Sequence, residues 1–266
     1  MLNSILGRES PMKSEFQLKE DICEVGRRIY QNGYVAANDG NITVRLGENE
    51  VLTTPTGVSK GFMTPDMLIK VNMSGEVLSG KLKPSSELKM HLRVYRERPD
   101  VGSVIHAHPP TATGFAVAGI PLDRCVLPEV IIALGSIPIA EYGTPSTEEI
   151  PDAIMEYLTG CDAVLLANHG ALTVGTDLFN AYFKMETMEH FAKISLVARQ
   201  LGQELEIPAH QVKKLMEVRE KLGVVGKNPG CHDCEICETS SPQTEEDSLR
   251  DLVGQITRRV LSEMEK

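Results

Sequence analysis

Apolar residues near the start of the chain recur at every third or fourth position, and further along they form short runs separated by turn residues. The first pattern covers about 14–32 and predicts a helix that Gly33 ends. The shorter runs at 41–45, 50–54 and 68–71 are bounded by turn-forming residues, as strands are. The sequence therefore predicts one long helix followed by strands that hairpin turns connect.

The chain then alternates between helical and strand-like patterns. A helix is predicted to begin at Pro84-Ser85-Ser86-Glu87 and to continue to about Arg98, because Pro99 cannot extend it. Hairpins combined with crossover helices predict an α/β fold with helices on both faces of a sheet. Further strands are predicted at 101–107, 137–141 and 163–167, and further helices at 147–159, 178–201 and 209–222.

The composition changes after Gly223. Gly, Asn, Pro, Ser, Thr and Glu dominate residues 224–247, which predicts a flexible linker. An amphipathic pattern at 248–266 predicts a short C-terminal helix. The chain is thus predicted to contain one folded domain at 1–223, followed by the linker and the terminal helix, and it shows no internal repeat.

Charge and composition narrow the classes of function. The chain has 266 residues, of which 41% are hydrophobic, enough for a substantial core. The formal net charge of −10 excludes an electrostatic footprint on nucleic acid or on an anionic membrane, because both surfaces would repel it. No apolar run is long enough to span a bilayer and no export signal is present, so we predict a cytoplasmic protein.

Three histidines stand where predicted strands end. His106 and His108 are two residues apart at the end of an apolar strand, so their side chains point to the same face. His169 follows a second apolar strand, and Glu87 lies in the first turn of a predicted helix. Three imidazoles with an open position are typical of catalytic zinc, whereas structural zinc sites are closed and rich in cysteine. Unrelated packing of the histidines is the alternative.

The segment that contains Ser85 and Ser86 has the chemistry of an anion site. A helix N-terminus offers free backbone N–H groups and the positive end of the helix dipole, and the two hydroxyls add donors. Ordinary N-capping by serine is the alternative interpretation.

Six segments together resemble the class II aldolase and adducin family, most closely its L-fuculose-1-phosphate aldolases. They occur in the family's order and span roughly residues 38–222. The combination of a serine-serine-glutamate segment, a His-x-His pair and a His-Gly pair makes the resemblance specific. The segments are Gly40-Asn41-Ile-Thr-Val-Arg45, Thr54-Pro-Thr-Gly57, Pro84-Ser85-Ser86-Glu87, His106-Ala-His108, Tyr142-Gly-Thr144 and Asn168-His169-Gly170.

The resemblance implies a three-layer α/β/α fold with a mixed, largely antiparallel central sheet, and a homotetramer with sites at the interfaces. It implies retro-aldol cleavage of a phosphorylated ketose, such as L-fuculose 1-phosphate, to dihydroxyacetone phosphate and a short aldehyde such as lactaldehyde. Glu87 would ligate the metal or act as acid and base. The implied ligands of Zn²⁺, or of another divalent cation, are His106, His108 and His169, and the implied phosphate contacts are Asn41, Thr56, Gly57, Ser85 and Ser86.

Other members of the family leave alternatives open. Relatives epimerise pentulose phosphates, dehydrate thiosugar phosphates or decarboxylate hydroxyacids through the same metal-stabilised enolate. A non-catalytic, adducin-like structural module is a further alternative, which the retained histidines and Glu87 disfavour. The chain departs from the aldolases where they place tyrosines that handle the aldehyde: it reads Val126-Leu-Pro-Glu129, with Glu129 a candidate substitute, and the C-terminal tyrosine is replaced near Leu222.

Two features of the C-terminal region lie beyond the resemblance to the aldolase domain. Cys231, Cys234 and Cys237 have ligand-like spacing and are candidates for a second metal site, although no fourth cysteine follows and a flexible thiol-bearing segment is the alternative. The terminal helix carries an apolar stripe and resembles the encapsulation peptides that deliver enzymes into bacterial microcompartments. We therefore expect it to bind shell proteins, and docking on its own oligomer is the alternative. The stripe comprises Leu249, Leu252, Val253, Ile256, Val260, Leu261 and Met264.

Overall fold

The computed structural model describes residues 13–144 and 147–230. Within these residues no helix is long and apolar enough to cross a membrane. The helices are α1 Glu15–Gln31, α2 Leu88–Glu97, α3 Pro110–Ala118, α4 Pro128–Ala133, α5 Glu149–Leu158, α6 Leu178–Gln200 and α7 Ala209–Lys221. The strands are β1 Asn41–Arg45, β2 Glu50–Thr53, β3 Ile69–Asn72, β4 Val77–Ser79, β5 Ser103–Ala107, β6 Ile139–Ala140, β7 Ala163–Leu166 and β8 Gly170–Gly175.

All eight described strands form one sheet in the order β4-β3-β2-β1-β5-β8-β7-β6. Only β6 and β7 pair in parallel, and every other neighbouring pair is antiparallel. The two strands at the centre, β1 and β5, pair so that Asn41 lies opposite His106. The expected mixed, largely antiparallel sheet is therefore confirmed.

Helices cover both faces of this sheet. Alternate residues of β5 point to opposite sides, so Ile105 packs in a core with α1, α3 and α6, whereas Val104 packs in a second core with α2 and α5. Both side chains are fully buried. Each face of the central strands is thus sealed by apolar contacts, which confirms the predicted three-layer α/β/α architecture.

The sequence pattern did not predict four of the described elements, α3, α4, β4 and β8, for two physical reasons. α3 and β8 are apolar and small-residue rich rather than amphipathic, and all six residues of β8 are buried, so neither shows a two-sided pattern. α4 has only six residues and β4 only three, which is too short for periodicity to be recognised. The predicted helices and strands agree with the structure apart from their ends.

A buried ion network joins the C-terminal part of the described chain to the sheet. Asp162 accepts hydrogen bonds from Arg98 at 2.8 Å and from Lys184 at 2.7 Å, and all three side chains are buried. The backbone N–H of Lys227 donates to the same carboxylate at 3.0 Å. Residues 224–230 of the predicted linker therefore contact the core, while the rest of that linker and the predicted helix at 248–266 lie outside the described residues.

Candidate metal centre and active site

Two neighbouring strands bring the three histidines together. His106 is the fourth residue of β5 and is fully buried, and His108 follows the end of that strand. His169 lies in the tight turn between β7 and β8. Because Ala107 pairs with Ala171 in the antiparallel register of β5 and β8, the end of β5 lies beside the turn that carries His169. The convergence predicted for these imidazoles is present in the structure.

Gly170 makes this close approach feasible. A Cβ atom at this position would lie 2.5 Å from Cδ2 of His108 and 2.7 Å from the carbonyl oxygen of Ala107. Both distances are shorter than real Cβ contacts allow, so a larger residue would push the turn away from β5. The His-Gly pair is therefore a steric requirement of the site.

The side-chain atoms of the cluster lie at separations that suit one ion. Nε2 of His106 is 3.1 Å from Nε2 of His108 and 3.5 Å from Oε2 of Glu87. Nε2 of His169 is 3.3 Å from Oε1 of Glu87. Ligand atoms of a tetrahedral zinc site with bonds of about 2.0–2.1 Å are separated by roughly 3.3 Å. The residues present therefore fit a divalent metal ion.

Electrostatics keeps two of these imidazoles in the form that binds a metal. Burial, with further contributions from His169 and His108, lowers the pKa of His106 well below its usual value. Burial and then His169 lower the pKa of His108 in the same direction. Nδ1 of His106 is 3.0 Å from the carbonyl oxygen of Ala171, which can only accept, so the ring proton is on Nδ1 and the Nε2 lone pair faces the cluster.

Glu87 stands at the N-cap position of α2, directly beside the histidines. Nδ2 of Asn41 donates to its Oε2 at 2.8 Å. Its Oε1 and Nδ1 of His169 are buried without a hydrogen-bond partner among the described groups. The carboxylate is thus held on one side by Asn41 and has a lone pair available for a metal ion or a proton on the other.

Two loops beside α2 contain the predicted phosphate contacts. The backbone N–H of Thr56 donates to the carbonyl oxygen of Lys83 at 3.0 Å, and the backbone N–H of Ser85 donates to the carbonyl oxygen of Thr54 at 3.3 Å. The two loops therefore pack edge to edge. Gly57 has a φ of 71°, a conformation that favours glycine. The structure therefore brings Thr56 and Gly57 next to Ser85 and Ser86, while the Asn41 amide contacts Glu87.

An open cavity of about 430 Å³ adjoins this pair of serines. Ser74 and the basic residues Lys89 and Arg96 also line it. Lys89 forms an exposed ion pair with Glu148 at 2.9 Å, and Arg96 donates to the carbonyl of Met73. Glu148 also lines the cavity and offsets the charge of Lys89, so Arg96 is the cationic side chain on its wall that favours an anionic group there.

Lys60 is a residue near the site that the sequence did not single out. Its Nζ atom donates to the carbonyl oxygens of Val58 at 2.8 Å and Asn38 at 3.0 Å. These two hydrogen bonds join the loop before β1 to the loop after β2. Burial lowers its pKa to about 8, against the opposing effect of the Asp39 carboxylate. A lysine in a polar loop gives no sequence signal of burial, so only the structure reveals this contact.

Two further predictions from the sequence concern Glu129 and the three C-terminal cysteines. Glu129 is exposed in the first turn of α4, and no ion pair or hydrogen bond joins it to the histidine cluster among the described contacts. Its role as a substitute for the family's tyrosine stays a prediction. Cys231, Cys234 and Cys237 lie outside the described residues.

Comparison with known proteins identifies the family. The sequence profile of the Class II Aldolase and Adducin N-terminal domain matches residues 20–196. An L-fuculose phosphate aldolase of Methanococcus maripaludis is 31% identical over 181 residues, which cover 68% of this chain and 97% of the relative. A 3-oxo-tetronate 4-phosphate decarboxylase of Escherichia coli is 33% identical over 189 residues, covering 70% of this chain and 89% of the relative.

A solved structure of an L-fuculose 1-phosphate aldolase superposes with a TM-score of 0.72 at 29% identity, covering 79% of this chain and 99% of that one. The chain therefore belongs to the class II aldolase and adducin family, as its motifs indicated. These relatives are named an aldolase and a decarboxylase, which are both lyases, and the chain is a lyase of this family.

We predict that His106→Ala, His108→Ala or His169→Ala abolishes stoichiometric metal binding and activity together, because each removes one of the converging ring nitrogens. Metal per chain is measured by mass spectrometry after purification. His190→Ala, which changes an exposed histidine on α6, is the matched control and should retain full metal content. Retention of one metal ion per chain by any of the three cluster variants would contradict the assignment.

Proposed function

We propose that the protein cleaves a phosphorylated ketose by a retro-aldol reaction, with Zn²⁺ held by His106, His108 and His169 and with Glu87 as the acid and base. The observation that supports this most strongly is the convergence of three imidazoles, whose ligand atoms lie within 4.8 Å of one another, with the Glu87 carboxylate 3.3–3.5 Å from two of them. Another divalent cation is chemically compatible with the same ligands. L-Fuculose 1-phosphate is the first candidate substrate, with dihydroxyacetone phosphate and lactaldehyde as products.

The chemistry follows from where charge develops. When the carbon–carbon bond breaks, its electrons remain on the phosphorylated fragment as an enediolate. A divalent cation, when bound, supplies Lewis-acid stabilisation of the two enediolate oxygens. The hydroxyl on the carbon that becomes the aldehyde loses its proton as the bond breaks; Glu87, as base, takes up that proton and then, as acid, delivers it to the enediolate carbon. The Asn41 amide keeps the carboxylate oriented for this transfer.

In this proposal the loops beside α2 bind the phosphate group of the substrate. Ser85 and Ser86 precede the first residue of α2, where the positive end of the helix dipole lies. Thr56 and Gly57 approach from the adjoining loop. Asn41 completes the proposed set, and Arg96 on the wall of the adjoining cavity adds attraction for an anion.

Decarboxylation is the second candidate function. The relative from Escherichia coli, which is 33% identical, is named a 3-oxo-tetronate 4-phosphate decarboxylase. Loss of CO₂ beside a carbonyl leaves the same kind of enolate, so the same metal and carboxylate would serve both reactions. Pentulose-phosphate 4-epimerisation shares this intermediate and is a third outcome of the assay below.

We predict that Glu87→Gln keeps the fold and the phosphate site but lowers kcat by about 10²-fold or more, because it removes general acid–base catalysis. Activity is measured with the metal-loaded protein on a panel of ketose 1-phosphates, a pentulose 5-phosphate and 3-oxo-tetronate 4-phosphate. Aldehyde release from a ketose 1-phosphate supports the first candidate, and CO₂ release supports the second. An unchanged kcat in the variant would remove Glu87 from the mechanism.

The serine pair gives a separate test of the phosphate assignment. In Ser85→Ala/Ser86→Ala we expect KM for the phosphorylated substrate to rise much more than KM for its unphosphorylated analogue, because only the former loses hydrogen bonds to the phosphate. Ser74→Ala, in the same cavity but farther from α2 in sequence, is the control. Equal increases for both substrates would dismiss the phosphate assignment.

We propose further that the enzyme is a homotetramer and that residues 248–266 deliver it into a bacterial microcompartment by binding shell proteins. The apolar stripe supports delivery by shell binding, because such a stripe needs a partner to cover it. Delivery would confine the reactive aldehyde product. A fluorescent fusion of residues 245–266 should co-localise with shells. Ile256→Asp on the stripe should disperse it, whereas Gln255→Asp on the polar face should not. A diffuse fusion in shell-forming cells, or an oligomer that dissociates without the tail, would overturn the targeting proposal.

A further inference from the structure

A line of polar side chains runs between α2 and β1 behind the metal cluster. Glu87, His91 and Tyr95 are one helical turn apart and therefore share a face of α2. Asn41 and Thr43 are two residues apart and share a face of β1. Four helix residues rise about 6.0 Å and two strand residues rise about 6.8 Å, so successive side chains of α2 and β1 meet along the interface.

His91 is the centre of this line. Its Nδ1 atom lies 2.8 Å from Oγ1 of Thr43, and that hydroxyl lies 2.9 Å from the hydroxyl of Tyr95. His91 is fully buried and Tyr95 nearly so. Burial, and after it His106, lowers the pKa of His91 to about 3, so the ring is neutral and carries one N–H group.

The other ring nitrogen of His91 is oriented by these contacts but has no partner of its own. Its Nε2 atom is buried and forms no hydrogen bond with any described group. Leaving such a group unsatisfied costs about 1–3 kcal/mol, so buried polar atoms of this kind are normally paired through protein or water. Oε1 of Glu87, one turn earlier on the same helix face, is likewise buried without a hydrogen-bond partner, although Nε2 of His169 lies 3.3 Å from it.

The metal cluster lies at the Glu87 end of this line of polar side chains. Asn41 donates to Glu87 and lies opposite His106 in the pairing of β1 with β5, so Glu87 and His106 stand at the same end of this line. We assign the Tyr95 hydroxyl as the donor to Thr43 and the Thr43 hydroxyl as the donor to Nδ1 of His91, which places the imidazole proton on Nε2. In that tautomer the ring offers an N–H donor, and Oε1 of Glu87, one turn earlier on the helix, is a buried acceptor without a hydrogen-bond partner.

We propose that His91 is a positioning residue for Glu87, to which its Nε2–H group is linked through one buried water molecule. Asn41 holds Oε2 of the carboxylate and the His91 link holds Oε1, so Glu87 is fixed from both sides. Each carboxylate oxygen has two lone pairs, which leaves Oε1 able to face His169 as well. This inference rests on the proposed function, in which Glu87 transfers a proton.

The expected consequence is confined to proton transfer. When Glu87 protonates the enediolate, its O–H bond breaks and a C–H bond forms at the fragment's carbon. A carboxylate that has lost its second support is displaced from that carbon, and displacements of about 1 Å can slow such steps by about 10²-fold. Phosphate and metal binding use other atoms, so KM and metal content should not change.

The test is exchange of the carbon-bound hydrogen of dihydroxyacetone phosphate with D₂O, followed by NMR on the metal-loaded full-length protein. His91→Leu and the nearly isosteric Thr43→Val should each slow exchange by about tenfold or more, with KM and metal stoichiometry unchanged. His91→Gln retains an amide N–H near the position of Nε2 and should recover most of the rate. The thermal midpoint of each variant is recorded to identify purely structural damage.

The outcomes separate the two claims. If Thr43→Val and His91→Leu exchange the hydrogen as fast as the wild-type protein does, the role of His91 is overturned and the proposed function stands. Loss of metal from Thr43→Val, or failure of His91→Gln to exceed His91→Leu, would also overturn it, because the role would then be structural. No exchange in the wild-type protein would overturn the proposed function and this inference together.

Discussion

Antiparallel pairing of β5 with β8 is the constraint on which the site depends. It sets the end of one buried strand, with His106 and His108, against the turn that carries His169. Gly170 permits the approach, since any side chain there would collide with His108 and with the backbone of β5. Because both strands lie inside a sheet that helices cover on each face, the ring of His106 is fully buried, and burial lowers its pKa so that it stays neutral.

The helix α2 adds the second half of the chemistry. Its N-terminus places Glu87 beside the histidines and places Ser85 and Ser86 beside the adjoining loop. One helix end therefore contributes both to the metal cluster and to the proposed phosphate site. The contacts of α2 with β1 fix the depth and rotation of the helix. Small changes behind the site are therefore expected to reach the reacting carbon through Glu87.

The sequence predicted much of this arrangement because its signals are local. Strand-end histidines and a capped helix start are visible as short motifs, and the order of the motifs indicated the family. The contact of His91 with Thr43 is not visible in this way, since the residues are 48 positions apart and each is compatible with an ordinary helix or strand. The burial of Lys60 and the position of β8 also depend on tertiary packing.

The central claim is that a metal ion on His106, His108 and His169 stabilises an enediolate. A phosphorylated hydroxamate that mimics the enediolate of dihydroxyacetone phosphate tests it most directly, by calorimetric titration of the metal-loaded and the metal-free protein. The account predicts that the metal-loaded protein binds the mimic at least about 10²-fold more tightly than a substrate-like ketone phosphate, and that removal of the metal abolishes this preference. Equal affinity for the mimic with and without metal would contradict the account.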